Sequence, residues 1–150
     1  MRVKICESDV EFEAVADLLV NHLYHGRKKK ACFNDLKEMR KQGWKLVAIF
    51  DESKKASVAA SFYIGKRLYC GKYIQIENLA VVDNLRSEGL GKEVLNFVEE
   101  EGKKNHCDRI ILDSYVENYD AHKFFFREEH YIRGYHFNKP LNGKPLGNKE

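Results

Sequence analysis

Proline is scarce, two in 150 residues, and no low-complexity segment or internal repeat breaks the chain, so no linker separates two small domains. No run approaches the ~20 apolar residues that span a bilayer. The start, Met1-Arg2-Val3-Lys4-Ile5-Cys6-Glu7, lacks the apolar stretch of a signal peptide. Cysteine is sparse as well: Cys6, Cys32, Cys70 and Cys107 lie far apart, with no C-x-x-C and no nearby histidine at ligand spacing. That argues against zinc or any other structural metal and against a disulfide framework. An excess of one charge sign is missing too, because 26 basic residues face 23 acidic ones for a net +3, too balanced to make nucleic acid the main partner. A reducing cytoplasm and no membrane partner are the resulting expectations.

What is present suffices for one core. With 43% hydrophobic and 33% charged residues, a chain of this length folds to a radius of gyration of roughly 15 Å and buries about two-thirds of its unfolded surface. The pattern predicts a single domain over 1–140 and a frayed tail over 141–150. The one dense basic run, Arg27-Lys28-Lys29-Lys30, is followed by Asp35 and Glu38 and reads first as a solvated loop, with an anion-docking patch as the alternative.

Val3 to Cys6 alternates as a short strand, and Ser8-Asp9-Val10-Glu11 is a capping box that opens a helix with Phe12, Val15, Leu19 and Leu23 on one face. His22 lies beside that face, as packing or a cleft wall, with a chemical role as the alternative. Gly26 and the basic run interrupt this helix, and Asn34 can cap a shorter one through Leu36 and Met39 to Gly43. Three stretches of strand character follow, 44–50, 57–64 and 73–82, separated by 51–55 and by Gly71. From Gly89 the period changes: Leu90, Val94, Phe97 and Val98 form a helical stripe that Gly102 and His106 close. A short strand at 109–112, a helix from Asn118 to about Glu129 and a last alternating strand at 131–137 complete a mixed α/β pattern with a largely antiparallel first half.

The chemistry concentrates in Ile76-Glu77-Asn78-Leu79-Ala80-Val81-Val82-Asp83-Asn84-Leu85-Arg86-Ser87-Glu88-Gly89-Leu90-Gly91-Lys92, an apolar strand, a short loop and glycines opening a helix. Free amides and the positive dipole end at such a helix start suit a pyrophosphate, and glycines allow close approach. Arg86 and Lys92 add charge. No G-K-[S/T] follows the first glycine at P-loop spacing, and position 94 is valine, which excludes the dinucleotide fingerprint.

Read as R-x-x-G-x-G after a strand ending Leu-Ala-Val, with an Asn-x-x-Ala-His-x-Phe helix about 30 residues later, the segment resembles the acyl-CoA-binding motif of the GNAT superfamily of N-acetyltransferases. The likeness runs from the first strand to Phe137. It implies a central mixed sheet flanked by helices and splayed between its fourth and fifth main strands. It implies further that the backbone of Leu79, Ala80 and Val81 would bind the pantetheine arm of acetyl-CoA, and that the amides of Arg86, Ser87, Glu88, Gly89, Leu90, Gly91 and Lys92 would hold the pyrophosphate. Asn118 would reach the pantetheine, or serve only as an N-cap, with Ala121 and Phe124 packing on the cofactor.

The implied reaction is direct attack of a primary amine, on a small molecule or a protein, upon acetyl-CoA within a ternary complex. An alkylamine has a pKa near ~10.4, so a base must take its proton. Glu77 is that base by similarity to polyamine-type members, its plain alternative being a solvent-facing or lysine-paired strand carboxylate. Two residues depart from the family: Phe125 stands where a tyrosine usually protonates the departing thiolate, and Glu129 replaces the usual glycine. Tyr131, Tyr119 and His122 are the available substitutes for the acid. Those departures motivate an alternative, a catalytically weak acyl-CoA-binding regulator. An RNA-associated module using residues 27–30 and the tyrosines is disfavoured by the low net charge. The pattern is compatible with a homodimer.

Overall fold

A computed structural model describes residues 2–144. The described residues fall into two compact units, 2–111 and 112–144. The first carries β1 (Lys4–Ile5), α1 (Asp9–His22), α2 (Lys29–Lys41), β2 (Lys45–Phe50), β3 (Ala56–Arg67), β4 (Gly71–Val81), a 3-10 turn (Asp83–Leu85), α3 (Leu90–Lys104) and β5 (Arg109–Ile111). The second carries α4 (Tyr119–Arg127). No helix among the described residues is long and apolar enough to cross a membrane.

The five strands lie in the order β1-β2-β3-β4-β5, antiparallel as far as β4, with β5 joined parallel to β4. Short reversals join β2 to β3 and β3 to β4, β1 reaches β2 through α1 and α2, and the parallel step needs the long crossover that α3 supplies. Leu46, Val47, Ala48 and Ile49 are all buried, so β2 reads as an unbroken apolar run instead of an alternating one. That follows from helices on both faces of the sheet. On one side α1 and α2 cover Leu46, Ala48, Ala59 and Ala80 with Phe12, Val15, Leu19, Phe33 and Leu36. On the other, α3 packs on β3, β4 and β5 with Val94, Leu95 and Val98 fully buried.

Three sequence expectations change. The second helix begins at Lys29, well before Asn34, and its N-cap Lys28 makes no side-chain cap bond. Burial of Cys32 and Phe33 against α1 carries the helix through the basic run, outweighing the cap that Asn34 offers. Gly102 lies inside α3 and does not end it; a Cβ there would sit 2.9 Å from Ile74, so the glycine is a contact surface for β4. The anticipated strand at 131–137 does not form, and Tyr131, Ile132, Tyr135 and Phe137 are 66–92% exposed. A strand pattern with neither face buried lacks the packing that strand preference reflects. The tail at 141–150 lies, for its last six residues, outside the described residues.

The capping box forms as the sequence suggests. The Ser8 hydroxyl accepts the Glu11 amide at 3.2 Å, while Glu11 Oε1 accepts the amides of Glu7 and Ser8 at 2.9 and 3.0 Å. Lys4 pairs with Oε2 of the same carboxylate. The Glu7 amide first, and then Lys4, hold the Glu11 carboxyl down at about 2. Because this folded value lies below the unfolded ~4.3, its contribution is complete above that pH and is lost as pH falls from ~4.3 toward ~2. Glu11→Gln is expected to flatten that part of the stability–pH curve in urea titrations at successive pH values; parallel curves for the two proteins would contradict the assignment.

Candidate functional site

Strand β4 loses one of its two partners midway. It pairs with β5 only at Tyr73, Ile74 and Gln75, and then runs on to Val81 with no further partner in β5. Along its other edge the register with β3 slips: Ser61 faces Glu77 and Ala59 faces Ala80, so Ala60 opposes both Asn78 and Leu79. This is a β-bulge, and Asn78 takes the left-handed conformation, φ +58°. The extra residue switches faces. Ile74 lies against α3, yet Ala80 belongs to the core under α1 and α2, where strict alternation would have put both on one side.

Asn78 is held by its side chain. The Tyr24 hydroxyl donates to Oδ1, and Nδ2 donates to the Ser61 hydroxyl at 3.2 Å. Asparagine tolerates the left-handed region better than most residues, and these two bonds fix it there. Sequence reading missed Tyr24, Ser61 and Asn78; an amide inside an otherwise apolar strand was the available signal. Glu77 lies on the α1–α2 face, half-buried, with its Oε1 accepting from Gln75 Nε2 at 3.1 Å. Leu79 and Val81 are half-buried and Ala80 buried, on the stretch whose second edge β5 leaves unpaired.

The loop that follows is pinned to the end of α1. Arg86 Nη2 pairs with Asp83 Oδ1 at 2.8 Å and donates to the His22 carbonyl at 3.5 Å, while His22 Nδ1 accepts the Asp83 amide at 3.4 Å. Arg86 therefore braces the loop against the negative end of α1. Two left-handed residues then turn the chain, Ser87 at φ +70° and Gly89 at φ +82°. Gly89 is the N-cap of α3, and without a side chain it caps nothing. The amides of Gly89, Leu90 and Gly91 are thereby directed outward at the positive end of a 15-residue helix, with Lys92 in the same turn. A Cβ at Gly89 would meet nothing within 4 Å, so the backbone angle, not crowding, is what calls for glycine here. Glu88 and Leu90 face a separate concavity of about 510 Å³, shared with Arg2, Asp51 and Ser57, that does not include Glu77.

The basic run is engaged within the chain. Arg27 pairs with Asp35, which raises its pKa, Lys29 lies 4.0 Å from Asp17, and Lys30 sits over the Phe33 ring.

In the second unit Asn118 is the N-cap of α4, its Oδ1 accepting the Ala121 amide at 3.3 Å. Nδ2 remains as the end of that side chain able to donate. Ala121 and Phe124 are half-buried. Of the residues offered as substitute acids, Tyr119 and Tyr131 are 68% and 67% exposed, while His122 Nε2 is bonded to the Tyr115 carbonyl at 2.8 Å. Both residues that depart from the family pattern, Phe125 and Glu129, lie at the end of α4. The His130 amide donates to the Phe125 carbonyl and the Glu129 amide to that of Phe126, the paired bonds of a Schellman terminus, with Glu129 left-handed at φ +67°. The Phe125 and His130 rings supply the apolar contact that accompanies it, 5.6 Å apart.

Comparison with known proteins shows the family and the fold. The profile of the Acetyltransferase (GNAT) family matches residues 13–130, and the chain belongs to that family. It is 34% identical over 77 residues to glucosamine 6-phosphate N-acetyltransferase of Arabidopsis thaliana, covering 49% of this chain and 52% of that protein. It is 28% identical over 67 residues to aminoalkylphosphonate N-acetyltransferase of Salmonella typhimurium, covering 45% and 44%. The chain thus spans about half the length of the curated relatives it matches. The crystal structure of the Arabidopsis glucosamine-6-phosphate enzyme superimposes with a TM-score of 0.70 over 95% of this chain and all of that one, at 23% identity, a likeness of fold.

Two stability measurements follow. Asn78→Ala is expected to cost about 2–3 kcal/mol in urea denaturation, from left-handed strain of ~1 kcal/mol plus two lost hydrogen bonds. Asn78→Gly relieves the strain and should cost visibly less; equal losses would remove the backbone from the account. Glu129→Gly is expected to stabilise the fold by about 1 kcal/mol and raise Tm by roughly 2–4 °C, since glycine occupies the left-handed position without penalty. An unchanged or lower Tm would show that the terminus carries no such strain.

Proposed function

We propose that the chain is an acetyl-CoA-dependent N-acetyltransferase whose acceptor is a small primary amine bearing a phosphorus oxyanion. The observation that carries the reading is continuous in the chain: a strand edge left unpaired past Gln75, a bulge, and then a helix opened by an uncapped, left-handed glycine. An extended amide-bearing arm can add to such an edge, and a pyrophosphate suits amides at such a helix start. The acceptor class rests on the relatives' names, since glucosamine 6-phosphate and aminoalkylphosphonates both join an amine to a phosphorus oxyanion.

In this reading the backbone of Leu79, Ala80 and Val81 aligns the pantetheine, residues 86–92 hold the pyrophosphate, and Asn118, Ala121 and Phe124 contribute from α4. Acetyl-CoA, when bound, supplies the acyl group as a thioester. Glu77 takes the proton of the attacking amine as the carbon–nitrogen bond forms and the carbon–sulfur bond breaks, and CoA leaves as thiolate. With phenylalanine at 125 the thiolate leaves without the family's usual tyrosine acid, at a cost of about 2 kcal/mol for a thiol of pKa ~8.5 at neutral pH.

Acetyl-CoA is expected to raise the melting temperature, because only the folded chain presents these amides together. Glu77→Gln should keep that shift and lower kcat/KM for an aminophosphonate or amino-sugar phosphate by about 10²-fold or more. A Glu77→Gln protein as fast as wild type at neutral pH would reject the base. A thermal shift with no turnover of any amine would favour an acyl-CoA-binding regulator.

A further inference from the structure

We propose that Gln75 is a positioning residue for Glu77 and that Arg67 holds Gln75 in that role; the inference rests on Glu77 being the base. Gln75 and Glu77 are alternate residues of β4, so both side chains rise on the α1–α2 face. Gln75 Nε2 donates to Glu77 Oε1 at 3.1 Å, and Arg67 Nη2 donates to Gln75 Oε1 at 3.4 Å. The direction of this chain is forced. A guanidinium can only donate, so it claims the oxygen end of the amide and turns the NH₂ end to the carboxylate.

Arg67 is itself fixed. Its Nη1 donates to the Tyr69 hydroxyl at 3.2 Å, and its guanidinium lies 4.5 Å from the centre of the Tyr73 ring. The hairpin explains how it comes to be there. Strand β3 pairs with β2 only as far as Phe62 and then runs on to Arg67, paired with β4 alone. This extension carries Arg67 out to the level of Gly71, whence its long side chain reaches back to Gln75. On the neighbouring strand, Gln75 stands opposite Tyr63, whose ring packs on Trp44 with centroids 5.4 Å apart.

A strand carboxylate on three rotatable bonds samples several rotamers, whereas a base must meet its proton at hydrogen-bond distance. The Gln75 bond removes part of that freedom by fixing Oε1. Neither Gln75 nor Arg67 needs to touch the acceptor for this. Their effect falls on the chemical step.

The test uses the full chain. Gln75→Leu is expected to lower kcat roughly 10- to 100-fold, the size of one lost hydrogen bond to a charged group, with the KM for acetyl-CoA unchanged. In a Glu77→Gln background the same change should add nothing, because the group being positioned is no longer a base. Arg67→Met, at the outer end of the hairpin, should reproduce part of the loss and Arg67→Lys recover it. Undiminished kcat in a folded Gln75→Leu protein, or an equal further loss in the Glu77→Gln background, overturns the positioning role. Full activity of Glu77→Gln alone instead overturns the base itself. A readout independent of turnover is the Gln75 side-chain amide in ¹⁵N NMR, assigned by its disappearance in Gln75→Leu. It should move on Glu77→Gln, and a stationary resonance would overturn the bond.

Discussion

The loss of β5 as a partner midway along β4 is the constraint on which the rest depends. A strand in the middle of a sheet has both edges satisfied, and a strand at its border has one edge available along its whole length. Strand β4 is the first kind up to Gln75 and, with respect to β5, the second kind beyond it. An unpaired edge inside a protein is costly unless something covers it, so the arrangement persists only where the neighbouring structure holds the strand in place. Here the holding is done from the opposite side. Tyr24 and Ser61 clamp Asn78, Ala80 is packed under α1 and α2, and the Val82 amide donates to the Ser57 carbonyl at 3.0 Å.

The bulge makes the two halves of β4 serve different layers. Before it, Ile74 and Ile76 pack as core residues and Ile74 lies on α3; after it, Ala80 packs under α1 and α2. Glu77 sits at the last position before the switch, which leaves its carboxylate half-buried on the α1–α2 face between Gln75 and the bulge. The loop that follows inherits its anchorage from the same helix, because His22 and Arg86 join Asp83 to the end of α1. The end of α1 and the turn just after it therefore fix both the bulge, through Tyr24, and the approach to Gly89, through His22.

Sequence patterning carried much of this. The capping box at Ser8, the helical stripe after Gly89 and the R-x-x-G-x-G segment are local signals, and each appears where its spacing places it. What stayed hidden is long-range. Tyr24 and Asn78 are 54 positions apart, and no periodicity links them. The early start of α2 depends on Phe33 burying against α1, and Gly102 lies within α3 because Ile74 needs its space; both are tertiary effects overriding a local cap or breaker. Residues 131–137 show the reverse case, a strand-like alternation for which burial supplies no support.

The departures at Phe125 and Glu129 can now be weighed against the chemistry. At the end of α4 the Phe125 ring serves the helix terminus through His130, a contact that a tyrosine ring would make equally well, so the loss of the hydroxyl is not required by that packing. Its chemical consequence is bounded by the two proton transfers of the proposed reaction. Releasing a thiolate of pKa ~8.5 at neutral pH costs about 2 kcal/mol, whereas freeing an alkylamine of pKa ~10.4 from its proton costs roughly 4.6 kcal/mol. The larger demand falls on the base. Under the proposed reaction that base is Glu77, and the hydrogen-bonded chain from Arg67 through Gln75 ends on its carboxylate.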